Sequence, residues 1–269
     1  MLARPIITLT TDYGLKDSFV GLMKGVILGI NPDANIIDIS HNIGRHNIYE
    51  ASQVIAMSYK YFPSATIHVS VVDPGVGGAR RPILVITENH YFIGPDNGIF
   101  TPIFERQSNF FKVLHLNSSH YFLPSEGATF HGRDIFSPIA AWLSRGVDSS
   151  KFGEPITDYQ TISLPTPLLS DGNTISGEVV SSDNFGNTIT NITVDILSKL
   201  APVEPKDKFK IIYKDKAISF LNYYAEAEDN ALSATINGFG HLELFVNKKN
   251  AFQMFDMNIG DTVTVTYVN

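Results

Sequence analysis

Cysteine is missing from all 269 residues. Disulfide frameworks, thiolate nucleophiles and cysteine-built zinc sites are thereby excluded. Basic runs are short as well: none exceeds a pair such as Arg80-Arg81 or Lys248-Lys249, and the formal net charge is −7. A nucleic-acid partner, which needs a basic face to displace counterions, is not expected. No apolar window reaches the roughly 20 residues that a membrane-spanning helix requires, so no membrane partner is expected either. The opening Met1-Leu2-Ala3-Arg4-Pro5 leads straight into a short apolar stretch, without the charged start and long apolar run of a secretory signal. A cytoplasmic location is the expectation.

What remains is an ordinary globular composition, 43% hydrophobic and 17% charged, which departs from both disordered and fibrous chains. A chain of this length buries either one large core or two moderate ones.

Residues 6–11 predict a buried strand running into Asp12, followed by a helix over residues 17–30 with Asp17 or Ser18 as its N-cap. A strand over residues 36–39, a helix over 47–60 and a strand over 66–72 follow, the last leading into Asp73. This alternation predicts an α/β, Rossmann-like, mostly parallel sheet with helices on both faces. Ligands of such sheets gather at the carboxyl ends of strands, where Asp12 and Asp73 fall. Further strands are predicted over 83–87 and 91–93, and a helix over 134–144 with Trp142 on its apolar face and an irregular start at Pro138. The breaker-rich stretch 164–173 divides the chain into a first domain, 1–165, and a second, 172–269. Alternating stretches at 175–180, 209–213, 231–236, 241–246 and 261–267 make the second domain smaller and mostly β, in the manner of a barrel.

Four polar motifs interrupt this pattern. Asp12, in Thr11-Asp12-Tyr13-Gly14, is placed either to serve a turn or to accept two hydrogen bonds from vicinal ribose hydroxyls. Asp73-Pro74-Gly75-Val76-Gly77-Gly78-Ala79-Arg80-Arg81 reads by itself as a tight turn with a surface Asp–Arg pair. Its glycines lack the lysine and threonine of a phosphate-binding loop and the spacing of a dinucleotide fingerprint. Phe130-His131-Gly132-Arg133-Asp134 sets a histidine in a glycine-containing loop, beside residues suited to pairing at a helix start. Asp183-Asn184-Phe185-Gly186-Asn187 reads as a β-turn, yet it offers an aromatic face and an amide within three residues, as a purine site would need.

These motifs, in this order and together with Pro95-Asp96-Asn97-Gly98 and Asn237-Gly238-Phe239-Gly240-His241-Leu242-Glu243, resemble the S-adenosyl-L-methionine (SAM) hydrolases that form adenosine, the SAM hydroxide adenosyltransferase family. That family is similar in fold to the SAM-dependent fluorinases and chlorinases. The resemblance spans nearly the full chain and implies hydrolysis of SAM to adenosine and L-methionine without a cofactor or a metal. It implies that Asp73, Arg80 and His131 activate water, that Asp12 holds the ribose, and that Phe130 and Phe185 flank the nucleoside. Asn187 would read the adenine, with Glu243 and the backbone near Val246 and Lys248 completing that pocket, while Asp17, Ser18 and Asp183 would address the methionine end. A homotrimer with sites shared between subunits is also implied.

Two departures matter. Relatives often carry a serine where this chain has Gly238, so one substrate contact is missing. The halogenases carry a tyrosine where this chain has Asp73, and a carboxylate beside the attack site repels a halide. Hydrolysis is therefore expected ahead of halogenation. The competing expectation from another class is a non-catalytic adenosine or SAM sensor. Whether Asp73 or His131 receives the proton from water is left open by the sequence.

Overall fold

The computed structural model describes residues 4–106, 111–124, 126–170 and 172–268. Ser125, in the loop before Phe130, and Asp171, in the linking stretch, lie outside the described residues. The chain divides into two compact units, Met1–Ser163 and Leu164–Asn269. Among the described residues no helix is long and apolar enough to cross a membrane.

The first unit is built on strands β1 (Ile6–Thr11), β2 (Asn35–Ser40), β3 (Thr66–Val71), β4 (Pro82–Thr87), β5 (His90–Pro95), β6 (Phe111–Leu116) and β7 (Gly153–Ile156), in the spatial order β2-β1-β3-β5-β4-β6-β7. Pairing is parallel from β2 through β5 and antiparallel from there to β7. Every residue of β3 is buried, as a strand covered on both faces requires. Residues of β4 alternate between two cores: Leu84 joins Leu9, Val69 and Phe136, whereas Ile83 and Val85 join Ile55, Phe92 and Phe100. Helix α1 (Phe19–Ile30) buries Val20, Met23 and Ile27, a helical spacing of three and four, and packs against α4 (Ser137–Ser144). Helix α2 (Ile48–Ser58) packs with α3 (Thr101–Arg106). Asn47 caps α2 by accepting from Glu50 N–H, while Glu50 reaches back to the Asn47 amide.

The start of α1 differs from expectation. Ser18 occupies the N-cap position but makes no side-chain capping bond, and both Asp17 and Ser18 are exposed. The expected irregularity near Pro138 takes the form of a π-helical turn over Gly132–Phe136. Pro138 has no N–H to offer the carbonyl of Asp134, and that carbonyl accepts instead from Leu123 N–H at 2.8 Å. The backbone at Leu123 is thereby tied to the His131 turn.

The second unit holds β8 (Leu168–Ser170), β9 (Thr174–Ser182), β10 (Thr188–Thr193), β11 (Phe209–Tyr213), β12 (Lys216–Phe220), β13 (Ser233–Ile236), β14 (His241–Phe245) and β15 (Thr262–Tyr267). Neighbour pairing runs β10-β14-β13-β12-β11-β15-β9 and closes through β9 and β10, with β8 added outside on β9. Closure leaves no edge around a core of Ile175, Val179, Ile192, Ile211, Leu244 and Val265. The first half of β9 pairs with β15 and the second half with β10. At the changeover a Cβ on Gly177 would lie 2.4 Å from Ile192 Cγ1, so only glycine lets the strands approach there. Three strands of the second unit depart from the sequence reading: β8 lies within the breaker-rich stretch, β10 begins directly after the Asn187 turn, and β12 pairs back on β11 through the turn at Lys214-Asp215.

Candidate active site

Registers Thr10↔Ser70 and Thr11↔Val71 bring β1 and β3 to the same edge, so the loops carrying Asp12 and Asp73 leave the sheet side by side. After Asp73 the chain turns tightly, with Val76 N–H on the Asp73 carbonyl and Gly78 N–H on that of Gly75. Gly77 has φ of 74°, and a Cβ there would stand 2.6 Å from the Ala128 carbonyl oxygen. A glycine is therefore required where this loop meets the one preceding His131.

The turn brings Arg80 back onto Asp73. Arg80 Nε donates to Asp73 Oδ1 at 3.0 Å and Nη2 donates to Oδ2, a two-pronged pair. The side chains are 9% and 4% exposed, so the pair is buried rather than the surface pair of the simplest sequence reading. Arg80 Nη2 also meets His131 Nδ1 at 2.7 Å. Its Nη1 is buried with no partner among the described residues. The Phe136 ring lies 5.5 Å from the guanidinium carbon. A charge removed from such a pair leaves its partner buried and unpaired, at a cost of about 3–5 kcal/mol.

Because a guanidinium only donates, His131 Nδ1 must accept, and the proton of the neutral ring sits on Nε2. Burial first, and then the Arg80 charge, push the His131 pKa below its usual 6.5 against the opposing pull of Asp73 and Asp134. The imidazole is consequently neutral at pH 7. It lines a cavity of about 330 Å³ together with Leu123, Ala128, Asp134 and Ile135.

Asp12 accepts from His46 N–H through Oδ2 at 2.9 Å. Next to it Tyr13, Phe19 and Phe130 form an aromatic cluster with ring centres 5.3 to 5.8 Å apart, in which Phe130 meets both other rings edge-to-face, and Arg133 covers Phe130. Burial, followed by the charges of Asp12 and Asp73, raises the Tyr13 phenol well above its usual range, so it remains a neutral donor. Asp134 pairs with Arg133 at 2.6 Å.

The second unit carries a cleft of about 500 Å³ lined by Asp183, Phe185, Asn187, Tyr224, Val246 and Lys248 among others. Asp183 Oδ1 accepts from the N–H groups of Phe185 and Asn187, and Oδ2 accepts from the Asn187 amide at 3.0 Å. This carboxylate shapes the turn and leaves the Phe185 ring 75% exposed at its tip. Glu243, 3% exposed, accepts from Tyr224 Oη at 2.8 Å and from Asn237 Nδ2 at 3.0 Å, and burial raises its pKa. Lys248 takes a left-handed backbone conformation, with φ of 58°. Gly238 is exposed, with nothing within 4 Å of where a Cβ would stand.

The structure thus brings Asp73, Arg80 and His131 into contact and, separately, gathers Asp183, Phe185, Asn187, Val246 and Lys248 on one cleft. Glu243 stands behind that cleft on Tyr224. Sequence reading missed Tyr13 and Tyr224 as site residues. Tyr13 had a signal, an aromatic between Asp12 and Gly14, whereas Tyr224 precedes Glu243 by 19 residues with no shared motif.

The SAM hydroxide adenosyltransferase N-terminal domain matches residues 7–153, and the C-terminal domain of the same name matches residues 177–264. A protein of Methanocaldococcus jannaschii named (R)-S-adenosyl-L-methionine hydrolase is 33% identical over 97% of this chain and 96% of its own. One of the same name from Salinispora arenicola is 32% identical over 99% of both chains. A fluorinase of an Actinoplanes species is 24% identical over 97% of each. Among solved structures, an uncharacterised conserved protein of Thermotoga maritima superposes with a TM-score of 0.89 at 33% identity, covering 97% of this chain and 99% of that one. With both of its units matched in order, the chain belongs to the SAM hydroxide adenosyltransferase family.

Proposed function

We propose that the chain hydrolyses S-adenosyl-L-methionine: water attacks the ribose 5′ carbon, and adenosine and L-methionine leave. The observation that carries this reading is the buried Asp73–Arg80–His131 set at the carboxyl edge of the sheet. A sulfonium departs as a neutral thioether and needs no general acid, so the protein's work falls on the nucleophile. Water must be held in line with the departing sulfur and relieved of a proton.

Hydrogen bonding favours Asp73 as the proton acceptor. His131 Nδ1 is occupied by an Arg80 donor and Nε2 already carries a proton, so protonating the ring breaks its bond to Arg80. Each Asp73 oxygen keeps a lone pair after pairing with Arg80. His131 Nε2–H then orients the water, and the free Nη1 of Arg80 stabilises its growing negative charge. Asp12 holds the ribose hydroxyls. Phe130 and Phe185 flank the nucleoside, and Asn187 reads the adenine with Glu243 and the backbone at Val246 and Lys248. Asp17, Ser18 and Asp183 address the methionine end, where Gly238 supplies no hydroxyl. The reaction as written uses no cofactor and no metal.

The names of the hydrolase relatives specify the R configuration at sulfur, and this chain acts on that epimer. Inverting the sulfonium exchanges the directions of its methyl and methionine arms, so a site that fixes both the adenosine and the methionine end distinguishes the two forms. The assembly is a homotrimer in which the first unit of one subunit and the second unit of a neighbour share each site, and it works in the cytoplasm. Chromatography after incubation with each separated epimer, in the presence of a metal chelator, tests the reading. Adenosine and methionine in equal amounts, formed faster from the R epimer, are expected. Tight adenosine binding without turnover would indicate a sensor, and a 5′-chloronucleoside formed in chloride would overturn the choice of nucleophile.

A further inference from the structure

We infer that the loop Pro95-Asp96-Asn97-Gly98 is a clamp that sets the geometry of the Asp73–Arg80 pair, with Asn97 and Asp96 as positioning residues for the reaction. The inference rests on the reading of that pair as the water-activating one. Its origin is topological. Strands β3 and β4 are consecutive in sequence but not neighbours in the sheet, because β5 lies between them. The connection from Val72 to Arg81, which carries both Asp73 and Arg80, therefore crosses over the carboxyl end of β5.

Two consecutive residues at that end grip the two ends of the crossover. At its entry, Asn97 Nδ2 donates to the carbonyl of Val72, the residue before Asp73, at 2.9 Å. Asn97 Oδ1 accepts from Ile99 N–H at 3.2 Å, which fixes which way round the amide lies. At the exit, Asp96 N–H donates to the carbonyl of Arg81, the residue after Arg80, at 2.8 Å. Asp96 Oδ2 accepts from Arg81 Nε at 3.0 Å and from Nη2 at 2.8 Å, and its Oδ1 accepts from Gln160 N–H at 2.7 Å. Asp96 is 4% exposed, so these bonds are sheltered from water.

Between the two grips lie Gly75, Gly77 and Gly78, whose backbones are permissive. The glycines let the loop reach Ala128 but do not hold Asp73 against Arg80. With both ends fixed to one rigid strand terminus, the carboxylate and the guanidinium are fixed relative to each other. A displacement of about 1 Å in such a pair is enough to cost roughly a hundredfold in rate.

The test uses the full-length protein with Asn97→Asp, which keeps the shape and the acceptor to Ile99 but places an oxygen against the Val72 carbonyl. Asp96→Asn provides a second, independent loosening if the first variant does not fold. Protection of the Arg80 Nε–H, read by NMR exchange, reports the pair directly, and melting temperature confirms folding. Expected are exchange faster by about tenfold or more and a kcat lowered at least about tenfold, with KM and adenosine affinity within about twofold of the parent. The kcat loss should vanish when Asn97→Asp is added to Asp73→Asn, because a positioning residue acts only through the group it positions. Folded variants with unchanged Arg80 exchange, or an equal rate loss in the Asp73→Asn background, would overturn the clamp. Full turnover by Asp73→Asn alone would instead remove the water-activating reading, while the exchange measurement still decides whether the loop holds the pair.

Discussion

Arg80 donates through Nη2 to His131 Nδ1 across 2.7 Å, so imidazole and guanidinium are joined only while that ring nitrogen carries no proton. Burial and the Arg80 charge depress the His131 pKa in the folded protein. A histidine depressed in this way contributes stability that is complete above its unfolded value of about 6.5 and lost as pH falls through the lower folded value. Protonation of His131 should therefore not limit turnover at pH 7, and turnover should decline on the acid side with a midpoint below 6.5. A profile of kcat/KM against pH, which reports the groups of the free protein, checks this. An acid limb centred above 6.5 contradicts the neutral, Arg80-bonded imidazole.

Water activation and nucleoside binding should separate by mutation. Asp73→Asn and His131→Ala should lower kcat by about a hundredfold or more while leaving adenosine affinity within about threefold, since their proposed work is on water. Asp12→Ala should do the reverse first, weakening adenosine binding by about tenfold or more through loss of the ribose contact. Calorimetry with adenosine and initial rates with SAM measure the two effects. Normal adenosine binding by Asp12→Ala would sink the ribose assignment.

How far the sequence revealed this arrangement depended on whether a feature was local. The strands ending at Thr11 and Val71 showed themselves by apolar runs stopped by a carboxylate, and the β-rich second unit by its alternation. Contact of His131 with Arg80 spans 51 residues, and no periodicity carries it. The resemblance grouped these two with Asp73, but only the geometry shows that the imidazole presents Nδ1 to the guanidinium. Tyr224 on Glu243 and Asn97 on the Val72 carbonyl are likewise products of closure and crossover. The predicted cap was right in position, at Ser18, but its side chain makes no capping bond, for a different reason. Propensity places such residues at helix starts, but it does not aim their side chains at the free N–H groups.

Gly238 offers a gain-of-contact test. Open space surrounds the position of its missing Cβ, and its φ is not in the left-handed region, so Gly238→Ser should fold normally. If Gly238 faces the methionine end as proposed, a new hydroxyl there should lower the KM for SAM by about threefold to tenfold, the worth of one added hydrogen bond. Adenosine affinity should stay unchanged, because adenosine lacks that end. Tighter adenosine binding by the serine variant would place this residue on the nucleoside side.

Complementation tests the proposed homotrimer. The proposed water-activating residues Asp73, Arg80 and His131 lie in the first unit, whereas Phe185 and Asn187 lie in the second. If each site draws its first unit from one subunit and its second from a neighbour, inactive His131→Ala and inactive Asn187→Ala proteins carry complementary defects. Random exchange of equal amounts gives each first unit an even chance of an intact His131 and each second unit an even chance of an intact Asn187. About one quarter of the sites then carry neither defect, so activity should recover to roughly that share of the parent. A site made within one chain has no such route, because every chain in the mixture keeps its own lesion. Light scattering at assay concentration should report three times the monomer mass. Monomers alone, or mixed trimers that stay inactive, would reject the shared site.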